Sequence, residues 1–270
     1  MDPRLRELQL EELKLLHMFA DLCESYGLRY FLLGGTLLGA VRHGGFIPWD
    51  DDVDVCMPRE DYDKLMAVVE DALPAPYRFK CAENDNAYRY CWARIQSPAM
   101  RIINYSANIP REEESWIDII PLDGLPEKKI ELALHKARLA SLRALLQISQ
   151  YDEIVDQKRK RSFLGRLAVR AAGWRIWRGV HDYHKYLMLI QKELKKYPYD
   201  GSNVIINYMA AFGFKEIFRK SWFDKVSALT FEDRKFDVPG NYDMVLKTIY
   251  GDYMTLPPES DRNKHNSQIC

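Results

Sequence analysis

The chain has 270 residues, with 39 Lys or Arg balanced by 39 Asp or Glu and 47% hydrophobic residues. This composition excludes a largely disordered protein. The zero formal net charge gives no general attraction to nucleic acid, so we predict no nucleic-acid partner. Five cysteines without paired spacing argue against a disulfide framework and against a zinc site.

The first predicted helix spans residues 5–26, where apolar side chains recur at helical spacing before a glycine. Residues 28–33 are an apolar run that predicts a buried strand ending at Gly34 and Gly35. At such a turn, backbone amides can approach a phosphate without an intervening side chain. Thr36 is placed to cap the short helix that follows.

Arg42 lies at the end of that short helix. Its planar guanidinium can bind two phosphate oxygens at once, which makes it a candidate contact for a diphosphate. The alternative is a charge at a helix end that interacts only with the helix dipole.

Four aspartates crowd into positions 50, 51, 52 and 54. Two like charges about 4 Å apart repel by roughly 4 kcal/mol at an effective dielectric constant near 20, so the cluster requires solvation, protonation or a cation. The alternation Asp52-Val53-Asp54-Val55 predicts a half-buried strand. On it Asp52 and Asp54 share a face, with α-carbons roughly 6.6 Å apart, and Asp51 points away.

A catalytic metal explains this cluster better than a solvated acidic loop or a calcium loop. Asp50, Asp52 and Asp54 match the first acidic positions of an EF-hand, but Val55 stands where that loop needs glycine and Asp61 where it needs glutamate. Magnesium, or manganese in its place, suits the pattern because it keeps few protein ligands and is completed by substrate phosphates.

A helix and three strands are predicted next, over residues 58–73, 77–81, 89–95 and 99–104. The segment Ile117-Asp118-Ile119 follows on a short apolar strand. A carboxylate between two isoleucines is expensive to bury without a partner, and a bound cation would remove that cost. Asp123 and Gly124 are interpreted as a turn.

The middle of the chain is basic, since residues 127–196 carry 17 basic and 7 acidic side chains. Two helices are predicted there, at 127–149 and 180–197. The stretch 158–177 between them mixes arginines with aromatic residues, which suits a membrane interface or an anionic polymer. The alternative is a helical subdomain with a solvated basic face. A last helix ends at Tyr250.

Several of these segments resemble the LicD family, within the nucleotidyltransferase-fold superfamily. The resemblance rests on the blocks 34–42 and 48–54, on the strand around Asp118 and on the tail 238–258. It implies a mixed α/β (α+β) fold, with a nucleotidyltransferase-like mixed sheet flanked by helices. The expected parts are a catalytic core in residues 1–126, an inserted basic helical module in 127–200 and a segment 201–270 that completes the catalytic domain.

The resemblance also implies a function, which is transfer of phosphocholine from CDP-choline to a hydroxyl of a bacterial surface glycan of the teichoic acid or lipopolysaccharide type, with release of CMP. Catalytic and metal-binding roles fall to Asp52, Asp54 and Asp118. The residues expected to bind the donor are Gly34, Gly35, Thr36, Arg42, Arg94, Trp49 and His265. Among them Arg94 is expected to face the active site, with an exposed strand charge as the alternative. Trp49 and Trp92 are the first candidates for holding choline.

The expected partners are a nucleotide-linked donor and an anionic or lipid-linked glycan acceptor. We expect a cytoplasmic protein, because no signal-peptide stretch or membrane-spanning run is present, with peripheral contact at the inner face of the membrane left open. Other hypotheses are transfer of ribitol phosphate or another phospho-alcohol, transfer of a nucleotide to a small hydroxyl compound, and a non-catalytic binder of anionic glycans. The three aspartates argue against the binder.

Overall fold

The computed structural model describes residues 2–105, 108–150, 182–209, 212–259, 262 and 267–270. It confirms the mixed α+β fold. The helices are α1 (Pro3–Tyr26), α2 (Gly34–His43), α3 (Arg59–Ala72), α4 (Lys129–Ser149), α5 (Tyr183–Leu194) and α6 (Tyr242–Tyr250). Two short 3₁₀ turns lie at Gly213–Lys215 and Lys220–Trp222. Among the described residues, none of the helices has both the length and the apolar character needed to cross a bilayer.

The strands form one mixed sheet and a separate hairpin. They are β1 (Phe31–Leu32), β2 (Asp54–Pro58), β3 (Arg78–Lys80), β4 (Ala93–Asn104), β5 (Arg111–Gly124), β6 (Val204–Ile206), β7 (Ile217–Arg219), β8 (Val226–Phe231), β9 (Arg234–Pro239) and β10 (Ser267–Ile269). The main path runs β1-β2-β5-β4-β10, with β3 beside β4 and β6 between β5 and β7, while β8 and β9 form the hairpin. The β2–β5 pair is parallel; the other described pairs are antiparallel.

The first helix begins and ends as its sequence predicts. The Asp2 side chain accepts a hydrogen bond from the Arg4 amide at 3.0 Å, which satisfies one of the free donors of the first turn. At the other end Gly27 adopts φ +63° as the cap, a left-handed conformation that favours glycine. The face between these ends packs Leu15, Leu16 and other apolar side chains into the main core.

Two strand predictions differ from the structure. The apolar run 28–33 contributes only Phe31–Leu32 to the sheet. The segments 89–95 and 99–104 are not two strands, because Ala93–Asn104 is continuous and its register against β5 shifts between Ser97 and Arg101. A bulge of this kind accommodates Pro98, which has no amide to donate, without ending the strand.

The core has two main parts. The larger one surrounds β2, where Val55, Cys56 and Met57 are inaccessible to solvent. The second lies between α4 and α5, where Leu139 and Leu187 pack against residues of the sheet. The predicted domain boundaries stay a prediction, and the basic stretch 158–177 and His265 lie outside the described residues.

A buried ion pair joins the start of α3 to the end of β5. Asp123, interpreted above as part of a turn, is instead a strand residue, and its carboxylate accepts two hydrogen bonds from Arg59, at 2.6 and 2.8 Å. Both side chains are almost completely buried. The turn interpretation is wrong because β5 continues to Gly124, where it pairs with β6.

Removing one partner of this pair should destabilise the protein strongly, because the other charge stays buried without compensation. We expect Asp123→Asn to lower the free energy of unfolding by about 3 kcal/mol, measured by urea denaturation. The double variant Arg59→Met, Asp123→Leu should recover most of this loss. As a control, Glu112→Gln breaks an exposed pair with Arg101 and should have little effect. Equal effects of Asp123→Asn and Glu112→Gln would contradict the assignment.

Candidate active site

The turn between β1 and α2 brings two aspartates against the backbone. Gly34 has φ +58°, and a Cβ at this position would lie 2.8 Å from Oδ2 of Asp54. A Cβ at Gly35 would collide with the carboxylate of Asp50. A side chain at either position would displace an aspartate carboxylate from the turn. At Gly34 the positive φ favours glycine as well.

Thr36 does not cap α2 as expected. The helix starts at Gly34 and is preceded by Leu33, without a side-chain cap, so Thr36 already lies within the first turn. Its hydroxyl oxygen accepts a hydrogen bond from the Asp54 amide at 2.8 Å instead. The buried Thr36 thus fixes the first residue of β2 to α2.

The parallel pairing of β2 and β5 brings Asp54 beside Asp118. The two residues are direct partners in register, and neighbouring strands lie about 4.8 Å apart. The chain just before β2 takes part as well, because the Asp118 amide donates to the carbonyl oxygen of Val53 at 2.8 Å. Asp54 and Asp118, which are far apart in sequence, therefore lie side by side on two interior strands of the sheet.

The remaining aspartates lie in the loop that precedes β2. One carboxylate oxygen from each of Asp50, Asp51 and Asp52 lies within 4.8 Å of the other two. Asp52 and Asp54 nevertheless both line the cavity described below, which Asp51 does not line. The strand itself begins later than predicted, because β2 starts at Asp54.

The charges around Asp54 reinforce one another. Burial, together with the carboxylates of Asp52, Asp118 and Asp50, raises the pKa of Asp54 well above its usual value. A divalent cation among these oxygens would oppose the shift, because it favours the ionised form. Within the described part of the chain, the carboxylates whose oxygens lie within 4.8 Å of one another are those of Asp50, Asp51 and Asp52, and carboxylate oxygens are the ligands that a hard cation such as magnesium prefers.

Asp118 is held by two donors on β4 and just before it. Nε of Arg94 and Nε1 of Trp92 each donate to Oδ1 of Asp118 at 2.6 Å. The Arg94 guanidinium also lies over the rings of Tyr90 and Trp116, 3.9 and 4.2 Å from their centroids. Arg94 is thus not an exposed strand charge. It is buried beside Asp118, where its positive charge partly balances the negative charges of the neighbouring carboxylates.

A cavity of about 430 Å³ opens next to the aspartates. Its lining includes Asp50, Asp52, Asp54, Gly35, Arg42, Trp49, Tyr250 and Tyr253. Arg42 donates from Nη1 to the carbonyl oxygen of Tyr253 at 2.9 Å, while its buried Nε has no hydrogen-bond partner among the described residues. Arg42 is therefore a cationic lining residue of a cavity that also has three carboxylates in its wall.

Some predicted residues lie elsewhere. Trp92 does not line this cavity and instead contacts Asp118, and His265 lies outside the described residues. Conversely, sequence reasoning missed Tyr250 and Tyr253, which line the cavity. In the sequence the tail 238–258 shows only a resemblance to a family, and a single tyrosine carries no local signal of its position in the fold.

Similarity to known proteins identifies the family. A family model described as "LicD/FKTN/FKRP, nucleotidyltransferase domain" matches residues 27–121. The chain is 33% identical to the lipopolysaccharide cholinephosphotransferase LicD of Haemophilus influenzae over 273 residues, which cover 98% of this chain and 96% of that protein. The chain belongs to the LicD family. A shorter match, 60% identical over 38 residues, relates 14% of this chain to 8% of the human ribitol 5-phosphate transferase FKRP.

The buried carboxyl group of Glu216 should make the stability of the protein depend on pH. Burial raises its pKa from 4.5 to about 7, although the Phe212 amide and Asn207 donate to its carboxylate. Between these pH values the unfolded chain has released the proton and the folded chain still holds it. Glu216 therefore lowers stability as pH rises, by roughly 3 kcal/mol once both states are ionised.

The variant Glu216→Gln should thus gain stability relative to the wild type by roughly 3 kcal/mol between pH 4.5 and pH 8. Urea denaturation at several pH values measures this difference. The control Glu7→Gln changes an exposed carboxylate of α1. Its difference from the wild type in the free energy of unfolding should stay constant over the same pH range. A constant difference for Glu216→Gln as well would show that the environment of Glu216 is misassigned.

Proposed function

We propose that this LicD-family protein transfers phosphocholine from CDP-choline to a hydroxyl of a bacterial surface glycan and releases CMP. One observation carries the proposal, namely the cavity that is lined by the carboxylates of Asp50, Asp52 and Asp54 and by Arg42. Anionic phosphates need cationic and amide donors, and carboxylates can reach phosphate oxygens only through a metal. The near full-length relative is named as a cholinephosphotransferase of lipopolysaccharide, which supports the same donor group.

Each part of the cavity has a role in binding the donor. Arg42 would contact the diphosphate, and the glycine turn at Gly34 and Gly35 lets phosphate oxygens approach the backbone. Asp52, Asp54 and Asp118 would hold Mg²⁺, or Mn²⁺ in its place, which when bound neutralises charge on the diphosphate.

The transfer itself requires an acceptor oxygen in line with the bond to CMP. The oxygen of the glycan hydroxyl forms a bond to the phosphorus that carries choline, the bond between that phosphorus and the bridging oxygen breaks, and this oxygen leaves with CMP. The hydroxyl proton passes to a carboxylate. We assign this role to Asp118, the in-register neighbour of Asp54, whose Oδ1 is held by Arg94 and Trp92.

Aromatic residues in the cavity support choline as the transferred alcohol. Quaternary ammonium groups bind to the faces of aromatic rings, and Trp49, Tyr250 and Tyr253 line the cavity. The guanidinium of Arg262 already lies 4.9 Å from the ring centroid of Trp49. This ring face therefore accommodates a cation, which Arg262 would give up to choline.

The name of the near full-length relative and the basic residues of this chain support an acceptor class. We propose an anionic or lipid-linked glycan, of the lipopolysaccharide or teichoic acid type, reached in the cytoplasm by peripheral contact with the inner face of the membrane. The basic residues of the segment 127–196 provide attraction to such a surface.

The decisive assay is release of CMP from CDP-choline, with and without Mg²⁺. We expect Mg²⁺-dependent release by the wild type, with water as a slow substitute for the acceptor, and loss of at least 100-fold in Asp54→Asn. The matched control Asp71→Asn changes an exposed aspartate near the end of α3 and should retain full activity. Absence of release, with CDP-choline also failing to raise the melting temperature, would argue for another nucleotide-linked donor such as CDP-ribitol.

Alanine substitutions at two glycines with positive φ distinguish the cost of backbone strain from loss of the site geometry. In Gly34→Ala the new methyl group must displace the carboxylate of Asp54, whereas at Gly27, which also has positive φ, a Cβ meets no atom within 4 Å. Both variants should lose a similar roughly 1–2 kcal/mol of stability from strain. Only Gly34→Ala should lose CMP release, by 10-fold or more. Equal activity of the two variants would contradict the proposed role of Asp54.

A further inference from the structure

A second pocket opens along β3, β4 and the start of β5. It has a volume of about 350 Å³, and none of the described residues lines both this pocket and the cavity beside Asp54. Its lining is mostly charged or polar and includes Lys80, Asp85, Arg94, Gln96, Arg111 and Glu113. The proposed reaction assigns no ligand to this pocket, although Arg94 in its wall contacts Asp118.

The strand register connects the second pocket to the cavity beside Asp54. Asp118 on β5 is the direct partner both of Asp54 on β2 and of Arg94 on β4. Arg94 is in turn the partner of Lys80 on β3. Side chains of directly opposed residues lie on the same face of a sheet. The four residues therefore form a row roughly 14 Å long, since neighbouring strands lie about 4.8 Å apart.

Asp118 lies between the two pockets in this row. Asp54 lines the first cavity, where the diphosphate of the donor is proposed to bind, and Arg94 lines the second pocket. In an in-line displacement the acceptor oxygen approaches the phosphorus from the side opposite to the leaving group. The second pocket lies beyond Asp118 as seen from the first cavity, so it is on the side from which an acceptor would approach.

The part of the second pocket nearest to Asp118 is held in place by hydrogen bonds. Arg94 donates from Nε to Oδ1 of Asp118 at 2.6 Å and from Nη1 to Oε1 of Glu113 at 3.3 Å. The Tyr90 hydroxyl donates to the same Glu113 oxygen at 2.8 Å. Because these side chains are already fixed, a ligand binds without a large cost for ordering them.

The lining of the second pocket favours a ligand with hydroxyl groups. It contains four basic and three acidic side chains, and cations lie next to carboxylates, as in Lys80 with Asp85 at 2.7 Å. A sugar hydroxyl both donates and accepts hydrogen bonds, so it can bind to such a pair. An ionised phosphate would be repelled by the carboxylates. The volume suits a ligand of about one or two sugar rings.

We propose that the second pocket binds the accepting sugar unit of the glycan, as a neutral ring whose hydroxyl groups contact the paired charges of the wall. One of its hydroxyls then reaches the phosphorus beside Asp118, while anionic groups of the glycan lie outside the pocket. This inference rests on the proposed function, because it needs a donor bound in the cavity beside Asp54.

The test follows the fate of the phosphocholine group. The protein is incubated with CDP-choline, Mg²⁺ and, in turn, the neutral methyl glycosides of glucose, galactose, N-acetylglucosamine and N-acetylgalactosamine. Each CMP released is accompanied either by a phosphocholine glycoside or by free phosphocholine formed with water, and phosphorus NMR measures the ratio of these products. The ratio does not depend on the overall rate, so it reports on acceptor binding separately from donor binding.

Two variants change the lining of the second pocket on different strands. Arg111→Gln removes a cation that lies 3.9 Å from Glu113 on β5, and Gln96→Ala removes an amide on β4. If one variant fails to fold, the other still tests the pocket. The matched control Arg78→Gln changes an exposed arginine of β3 that pairs with Glu114 and does not line the pocket.

We expect the wild type and Arg78→Gln to transfer phosphocholine to at least one neutral glycoside. The fraction of phosphocholine that reaches the sugar should fall by at least about 10-fold in Arg111→Gln and in Gln96→Ala, because acceptor contacts are lost. Two competitors that both lack the 6-hydroxyl test the ligand class. The 6-deoxy form of the accepted glycoside should compete more tightly than its 6-phosphate.

Equal transferred fractions, within twofold, in the wild type and both lining variants would overturn the pocket assignment. CMP release that yields only free phosphocholine with every glycoside would also overturn it, while leaving the proposed donor intact. Tighter competition by the 6-phosphate would reject a neutral ligand. Absence of CMP release by the wild type would instead reject the proposed donor. Saturation-transfer NMR with the glycosides then tests the pocket directly, and equal signals from the wild type and Arg111→Gln would overturn it.

Discussion

The parallel pairing of β2 with β5 determines the geometry of the whole site. It places Asp54 opposite Asp118, and every other feature of the site accommodates that pair. Gly34 lacks a side chain so that the Asp54 carboxylate fits against the turn, Thr36 fixes the Asp54 amide, and Arg94 and Trp92 hold Asp118 from β4 and the residues before it. A change in the register of this one strand pair would separate all of these contacts.

Mutual repulsion is the main cost of this arrangement. Desolvation and neighbouring carboxylates together raise the pKa values of the half-buried Asp54 and of Glu12, a buried residue of α1. Arg94 offsets part of the charge, and it is itself sandwiched between Tyr90 and Trp116. A fold that keeps so many carboxylates together loses stability at this site. Charged binding sites commonly lower the stability of the protein that contains them.

The sequence predicted the parts of this site that are local along the chain. The first helix, its glycine cap, the glycine turn and the aspartate cluster could all be located from residue spacing, and Asp118 from a carboxylate between two isoleucines. Contacts made by folding could not be predicted in this way. The bond from the Asp54 amide to Thr36, the partners of Asp118 and the buried pair of Arg59 with Asp123 join distant segments. The alternating pattern also predicted a strand from Asp52, whereas β2 begins two residues later, at Asp54.

The continuous strand β4 also determines what removal of the residues that pair with its outer edge would do. Its outer edge at Ile102, Ile103 and Asn104 is covered by β10, and the Cys270 amide donates to the carbonyl oxygen of Arg101 at 2.8 Å. Cutting away these last residues would leave a row of unpaired backbone groups on a long strand, which is a surface that recruits other chains and promotes aggregation. Affinity tags and fusion partners are therefore safer at the amino terminus, where α1 begins at an exposed turn.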